Sequence, residues 1–319
     1  ERNHYRHEWV SVRLFQAFVG GDGDAGWLQR LAACAEPDVD VKAFEALWLD
    51  HIGGRLLRDG LDTDTNQDGP NCSHNPFRCL PPVAQAVAWL VFTHHRLPCK
   101  PVEYKRQPGD SSEDAKKKFR SFGWCPSSVN APDLEGLLQQ IHADWNEPRE
   151  EVLHKTLEAH WHFPHGLPVA TPAWRKQAAR YARKLLELSA TPSSAQALHD
   201  PFAMHVSRLC LMLADHHYSS ITDKVRRQPF LNERYPLGAN TIKNDSFQRP
   251  PDKRKGPIFN QTLDEHLLGV QAHATLVARS LPSLVQSLPA LKNHKPLKKR
   301  STDPRFAWQD KAADLAASL

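Results

Sequence analysis

Residues 203–220 read AMHVSRLCLMLADHHYSS. Val206, Leu209, Cys210 and Leu213 recur at the three- and four-residue intervals of an amphipathic helix, so the stretch predicts a helix with one face in a core. The apolar run then ends in Asp215, His216, His217 and Ser219. This spacing sets Asp215 beside buried side chains, where a carboxylate is costly unless it is paired or hydrogen-bonded. Ser219, four residues on, shares its face and can orient it. Two readings compete. Either the helix surfaces here, with Asp215 in an ordinary ion pair to Arg208 or another cation, or Asp215 is held inside to grip something.

The same periodicity spreads outward from this stretch. RHEWVSVRLFQAFVG (6–20) places Val10, Leu14 and Phe18 on one face and stops at Gly20-Gly21. DVKAFEALWLDHIGGRLLRDG (40–60) reads as a helix broken at Gly53-Gly54. PPVAQAVAWLVFTHHRLP (81–98) is apolar nearly all round, which predicts a central helix opened by Pro81-Pro82. Further helices are predicted at DLEGLLQQIHADW (133–145), REEVLHKTLEAHW (149–161), TPAWRKQAARYARKLLELS (171–189) and LDEHLLGVQAHATLVARSL (263–281). Strand-like alternation is nearly absent. Residues 61–80 are polar and turn-rich, 99–125 loop-like and basic, and 222–262 an irregular excursion. The expected fold is one all-α domain over residues 1–289, a helical bundle with long irregular insertions. Residues 290–319 then form a basic connector and the start of another element.

Composition narrows the function. Eighteen histidines against two methionines direct attention to metal chemistry. The net charge of +5 permits contact with a polyanion. The longest apolar run, VAQAVAWLVF (83–92), is shorter than the roughly 20 residues that span a bilayer. With no secretory signal visible, the expectation is a cytoplasmic protein without a membrane partner. The six cysteines form no CxxC pair and read as reduced thiols, and Cys72, His74 and Cys79 match no standard zinc spacing. The chain opens on Glu1 rather than Met, which suggests an excised fragment.

Three places interrupt the helical runs with metal-type ligands: His7, the His94-His95 pair, and Asp215. Neutral imidazoles donate lone pairs and a carboxylate offsets charge, the donor set that divalent first-row ions take. Two such ions about 3.5–4 Å apart can activate water and clamp a phosphoryl group. Plainer readings stand beside this one. Arg6 and Glu8 suggest that His7 is solvated, and His94 and His95 suit a helix C-terminus through its dipole. The residues alone leave both open.

Four phrases tip the balance. RHEWVS (6–11), HHRLP (94–98), LMLADHHYSS (211–220) and LDEHLLGV (263–270) resemble, in this order, the HD-nuclease domain of the CRISPR-associated helicase–nuclease of type I-F systems. HFPHGLP (162–168) and DPRFAWQDKA (303–312) are similar to further phrases of that family. There the domain lies between an adaptation-subunit domain and a superfamily 2 helicase. The resemblance implies an HD-domain-like bundle in which His7, His94 and His95 bind metal and Asp215 completes the site. Asp215, His94 and His95 would be the catalytic set. His266 sits in a phrase similar to one that supplies a metal histidine in other HD domains and is a further candidate ligand; its alternative is a surface histidine. His216 and His217 receive no role. Gln309, in a segment like that before the helicase's Walker A loop, is a candidate adenine-side contact.

HD domains are named for an adjacent His-Asp pair, expected upstream of RHEWVS. The dipeptide His199-Asp200 lacks the following Gly-Lys, precedes a proline-bearing turn and reads as a helix cap or a loop pair. The implied cofactor is a divalent transition metal (Mn, Ni, Co or Fe), as one or two ions, with ATP and Mg reserved for the helicase part. The implied activity is hydrolysis of single-stranded DNA by metal-activated water. Implied partners are the crRNA-guided surveillance complex, the CRISPR integrase subunit and phage inhibitor proteins. Basic segments 116–120 and 292–305 are candidate phosphate guides, with a solvated charged surface as the alternative. The rival functions are an HD phosphohydrolase acting on nucleotides and a catalytically incomplete docking module.

Overall fold

Almost the whole circumference of the first helix, α1 (His7–Val19), is buried, and Trp9, Val12, Phe15, Phe18 and Val19 share one core. The computed structural model describes residues 7–50, 56–59, 61–62, 76–77, 79–95, 154–189, 200–241, 259–283, 310–311 and 314. The helices that follow in the chain are α2 (Asp24–Ala33), α3 (Val41–Leu49), α4 (Pro82–Thr93), α5 (His154–His160), α6 (Pro172–Ser189), α7 (Pro201–Ser220), the short α8 (Lys224–Arg227) and α9 (Leu263–Ser280). The fold is all-α, as the periodicity predicts, and HD-like, as the resemblance implies, with one small exception among the described residues. Strands β1 (Gly238–Thr241) and β2 (Phe259–Thr262) pair antiparallel, Ala239 opposite Gln261. The stretch 222–262 is therefore not wholly irregular: α8 and the ribbon are built into it, and β2 runs directly into α9. The predicted helix 133–145, the Gly53-Gly54 break, Cys72, His74, the basic segments 116–120 and 292–305, and Gln309 lie outside the described residues.

Aromatic packing holds the first four helices together. Phe18 stacks on Trp48 of α3 with ring centroids 4.4 Å apart, and Phe15 meets Trp27 of α2 edge-on at 5.4 Å. Burying a side chain of this size contributes roughly 1.5–3 kcal/mol. Val10 and Leu14, expected on the buried face of α1, are only partly covered, while Trp9 and Val12 are fully inside. The helix stops where predicted, at Gly20, whose φ of 62° is the left-handed conformation that glycine adopts without strain. Arg13 is buried in the same helix, with Nε and Nη2 donating to the Asp59 carboxylate at 3.0 and 2.8 Å. The Trp9 indole donates to that carboxylate as well.

The placement of α4 and α7 decides the site. The Asp24 side chain of α2 accepts from the backbone N–H groups of Val83 and Ala84, so the N-terminus of α4 is capped by another helix. At the other end, buried Arg208 of α7 donates from Nε to the Thr93 carbonyl at 2.7 Å. A last-turn carbonyl without an intrahelical partner is thereby satisfied, and α7 is clamped to the end of α4. Arg208 is thus committed to the backbone and is not the ion-pair partner considered for Asp215. Asp200 caps α7 by accepting from the Phe202 N–H at 2.9 Å, as its reading as a helix cap expects.

The face of α7 differs from expectation. Leu209 and Leu213 are 37% and 47% exposed, whereas Cys210, Ala214, Asp215 and Tyr218 are buried. Apolar residues lie on both sides of this helix, so periodicity marks the helix without choosing its inner side. Close packing of α9 makes the choice. At Gly269 of α9 a Cβ would lie 2.1 Å from the Tyr218 ring, far inside contact distance. Alanine in a mid-helix position ordinarily gains about 1 kcal/mol over glycine. Here overpacking dominates, at about 1–3 kcal/mol. Gly269→Ala is therefore expected to lower stability in urea unfolding; an increase would show that the two helices separate freely.

Among the described residues no helix is long and apolar enough to cross a membrane. Cys34 and Cys210 are free thiols, but Cys79 is disulfide-bonded, which corrects the expectation of uniformly reduced cysteines.

Candidate metal centre

The clamp between α4 and α7 sets Asp215, two turns beyond Arg208, next to His95, two residues beyond Thr93. His95 Nδ1 lies 3.8 Å from Asp215 Oδ2. On its other side His95 Nε2 is 3.1 Å from Nε2 of His7, at the start of α1. His94 completes the group: its ring centroid is 3.9 Å from that of His95 and 5.6 Å from that of His7. The helix pair α7 and α9 brings His266 to the opposite carboxylate oxygen, Nε2 to Asp215 Oδ1 at 3.2 Å. His7, His94, His95, Asp215 and His266 therefore converge, although they come from four helices or their ends.

A common orientation runs through the four imidazoles. Nδ1 of His94 is 2.6 Å from the Val91 carbonyl, and Nδ1 of His266 is 3.0 Å from Gln261 Oε1. Nδ1 of His7 faces the Glu8 carboxylate at 3.6 Å, and Nδ1 of His95 faces Asp215. Where Nδ1 of His7, His94 or His95 carries the proton for such an acceptor, Nε2 keeps the lone pair for a ligand, whereas Nε2 of His266 faces the Asp215 carboxylate. The Gln261 amide cannot be reversed without loss, because its Nε2 donates to the Tyr218 carbonyl at 2.7 Å. Oε1 therefore accepts from His266, and Asn240 of β1 donates to the same oxygen at 3.2 Å. The bond to Val91 occupies Nδ1 of His94 at the end of α4.

This geometry passes a simple test for a cation. Two lone pairs facing each other at 3.1 Å repel unless a proton or a cation lies between them. With metal–nitrogen distances near 2.0–2.1 Å, neighbouring ligand atoms stand roughly 2.9–3.4 Å apart. The His7–His95 and His266–Asp215 separations both fall in that interval. Two groups have ligand atoms within 4.8 Å of one another: His7, His94 and His95, and then His95, Asp215 and His216. They share His95.

Electrostatics favour the ligand forms. Burial, together with the neighbouring His94 and His7, lowers the pKa of His95, against the pull of Asp215 and Glu8. Burial works to raise the pKa of Asp215, but the hydrogen bond from His266 and the charges of His266, His95 and His94 outweigh it and leave the carboxyl below its usual range. Ser219 Oγ sits 3.5 Å from Asp215 Oδ1, at the outer limit of the support expected of it.

His216 is the residue that sequence reading passed over. It is exposed, yet it belongs to the second group because α7 ends at the mouth of the site. Its only signal was adjacency to Asp215, and adjacent helical side chains point about 100° apart. His217 packs on His273 of α9, ring centroids 4.6 Å apart. His266→Ala is expected to weaken Mn2+ binding by about 10–100-fold in titration calorimetry, the cost of losing a group that orients a metal ligand. Unchanged affinity would remove His266 from the site.

The fold and this cluster define an HD-like helical domain with a histidine–aspartate cluster in which Asp215 is buried and His7 and His95 are exposed. No protein-family model matches the chain. It is 37% identical over 315 residues to the CRISPR-associated nuclease/helicase Cas3 subtype I-F/YPEST of Pectobacterium atrosepticum, a match covering 99% of this chain and 24% of that protein. It is 40% identical over 314 residues to the protein of the same description from Pseudomonas aeruginosa, covering 98% of this chain and 24% of the relative. The chain is similar to these subtype I-F/YPEST nuclease/helicases over nearly all of its own length and spans about a quarter of theirs.

Proposed function

We propose that this chain is the metal-dependent nuclease domain of a CRISPR interference nuclease–helicase, hydrolysing single-stranded DNA. The observation that carries the reading is the convergence of His7, His94, His95 and Asp215 around facing ligand atoms, in a chain related to proteins named nuclease/helicase. A bound divalent cation would supply Lewis acidity toward phosphoryl oxygens and lower the pKa of a coordinated water. His7, His94 and His95 present ring nitrogens, and Asp215 offsets the ion's charge. His266 and Ser219 hold the Asp215 carboxylate, and Gln261 holds His266. With α4 and α7 clamped by Arg208, these groups need little reorganisation when substrate arrives.

The rest of the reading extends to the longer protein. Residues 1–289 form the nuclease domain, and 290–319 lead into an ATP-driven helicase, with Gln309 on the adenine side. The cation is Mn, Ni, Co or Fe, as one or two ions. The partners are the crRNA-guided surveillance complex, the integrase subunit and phage inhibitor proteins. The test is to incubate circular single-stranded DNA with the protein and Mn2+, Ni2+ or Co2+. Cleavage that EDTA stops is expected. Hydrolysis of nucleotides without DNA cleavage would identify a phosphohydrolase instead. Partner binding with neither activity would identify a docking module.

A further inference from the structure

Helix α6 turns a row of cations to solvent. Lys176, Arg180, Arg183 and Lys184 are exposed at relative positions 0, 4, 7 and 8, one face of a helix. The opposite face carries Ala179 and Ala182, both buried in the core. Arg183 is engaged, donating to Glu36 Oε1 at 2.8 Å and to the Ala32 carbonyl at 3.0 Å. Lys176, Arg180 and Lys184 make no ion pair among the described residues, and Glu187 is the only acidic residue of the helix. Arg180 and Lys184 flank the ring of Tyr181, 4.8 and 5.7 Å from its centroid. That ring is held in place by its hydroxyl, 2.8 Å from Thr275 Oγ1 and 2.8 Å from Gln271 Nε2, both on α9.

We propose that this face of α6 is a contact surface for the phosphate backbone of single-stranded nucleic acid, with Lys176, Arg180 and Lys184 as the phosphate ligands. Successive cations four residues apart are separated by about 6 Å along the helix, a repeat that suits a chain of regularly spaced anions. A ring fixed beside two cations adds a platform on which a base can rest, a feature of surfaces that bind single strands without sequence preference. An acidic protein would use the cations but has no need of the ring. The surface is also tied to the metal centre. Thr275, which fixes Tyr181, lies nine residues beyond His266 on α9, about 14 Å along the same helix. The choice of single-stranded DNA as the physiological strand rests on the function proposed above.

The test is binding, measured without cleavage. Fluorescence anisotropy of a labelled oligothymidine is followed in EDTA from 0.05 to about 0.3 M salt. The full-length protein that carries this chain is compared with its triple variant Lys176→Gln, Arg180→Gln, Lys184→Gln. Loss of three phosphate contacts is expected to reduce the slope of log K against log salt by about 2, at 0.7 per contact for single strands. If the two proteins bind equally at 1 M, affinity at 0.1 M falls by roughly 100-fold. Arg183→Gln, whose charge is already paired, is the control and should leave the slope unchanged. Thermal unfolding checks that the exposed substitutions leave the fold intact. An unchanged slope in the triple variant overturns the proposal. So does a loss of polyglutamate binding with oligothymidine binding intact, which would assign the surface to an acidic protein. Because EDTA removes any need for metal or chemistry, failure here leaves the nuclease reading standing. DNA binding with a normal slope but no metal-dependent cleavage would strike that reading alone.

Discussion

Asp215→Asn is expected to eliminate metal-dependent cleavage of single-stranded DNA and to weaken Mn2+ binding by more than about 100-fold. The substitution keeps shape and hydrogen-bonding capacity but removes the only carboxylate in either ligand group. Neutral imidazoles would then face a dication with no charge to offset it. Altering the outer partners of a metal site typically costs 10–100-fold in affinity, and a direct ligand should cost more. The carboxylate is ionised at neutral pH, since His266 and the two histidines of α4 hold its pKa below the ordinary range despite burial. The asparagine variant therefore removes a charge that is present, and the metal-free fold loses little. Calorimetric titration with Mn2+ and cleavage of circular DNA provide the two readouts. Undiminished cleavage would place the chemistry elsewhere.

The second large effect is on stability. Glu265→Ala is expected to cost about 3–5 kcal/mol in urea unfolding. Glu265 Oε1 accepts from Arg227 Nη1 at 2.6 Å, and both side chains are only 2% exposed. It also accepts from the Tyr218 hydroxyl at 3.3 Å. Burial and the adjacent Glu265 charge both raise the pKa of that tyrosine, so it remains a donor across the accessible pH range. Removing the carboxylate leaves a guanidinium buried without its acceptor, while Arg227 Nε already has no partner among the described residues. Replacing both members by apolar residues, Arg227→Met with Glu265→Leu, should cost much less than the single change, because no charge is then stranded. A double variant as damaged as the single would show that packing volume, not charge, governs this position. Since Glu265 precedes His266 and Tyr218 follows Asp215 by three residues, this pair also supports the histidine–aspartate cluster.

Period and composition made much of the molecule legible. The apolar run before Thr93 marked α4 as central, and it does lie against both α1 and α7. Asp200 was recognisable as a cap from its place before a proline and an apolar run. α2 was passed over because its ten residues follow a glycine-rich turn and carry a weak apolar stripe. The β ribbon was missed for a related reason: two four-residue strands without alternation leave no pattern, and only their pairing defines them.

The ligand types and their helical setting were determined by the sequence itself: imidazoles at the start of α1 and the end of α4, and a carboxylate in a helix that has to bury one side. That follows because local periodicity and residue chemistry are properties of short segments. Which side of α7 turns inward was a tertiary decision, taken by the glycine of α9 under Tyr218 and by the bond from Arg208 to the Thr93 carbonyl. Only those contacts bring His266 to Asp215 across 51 residues of chain and leave Leu209 and Leu213 in water. The cause is general: each face of that helix is apolar enough to be buried, and the partner that fits most closely settles which one is.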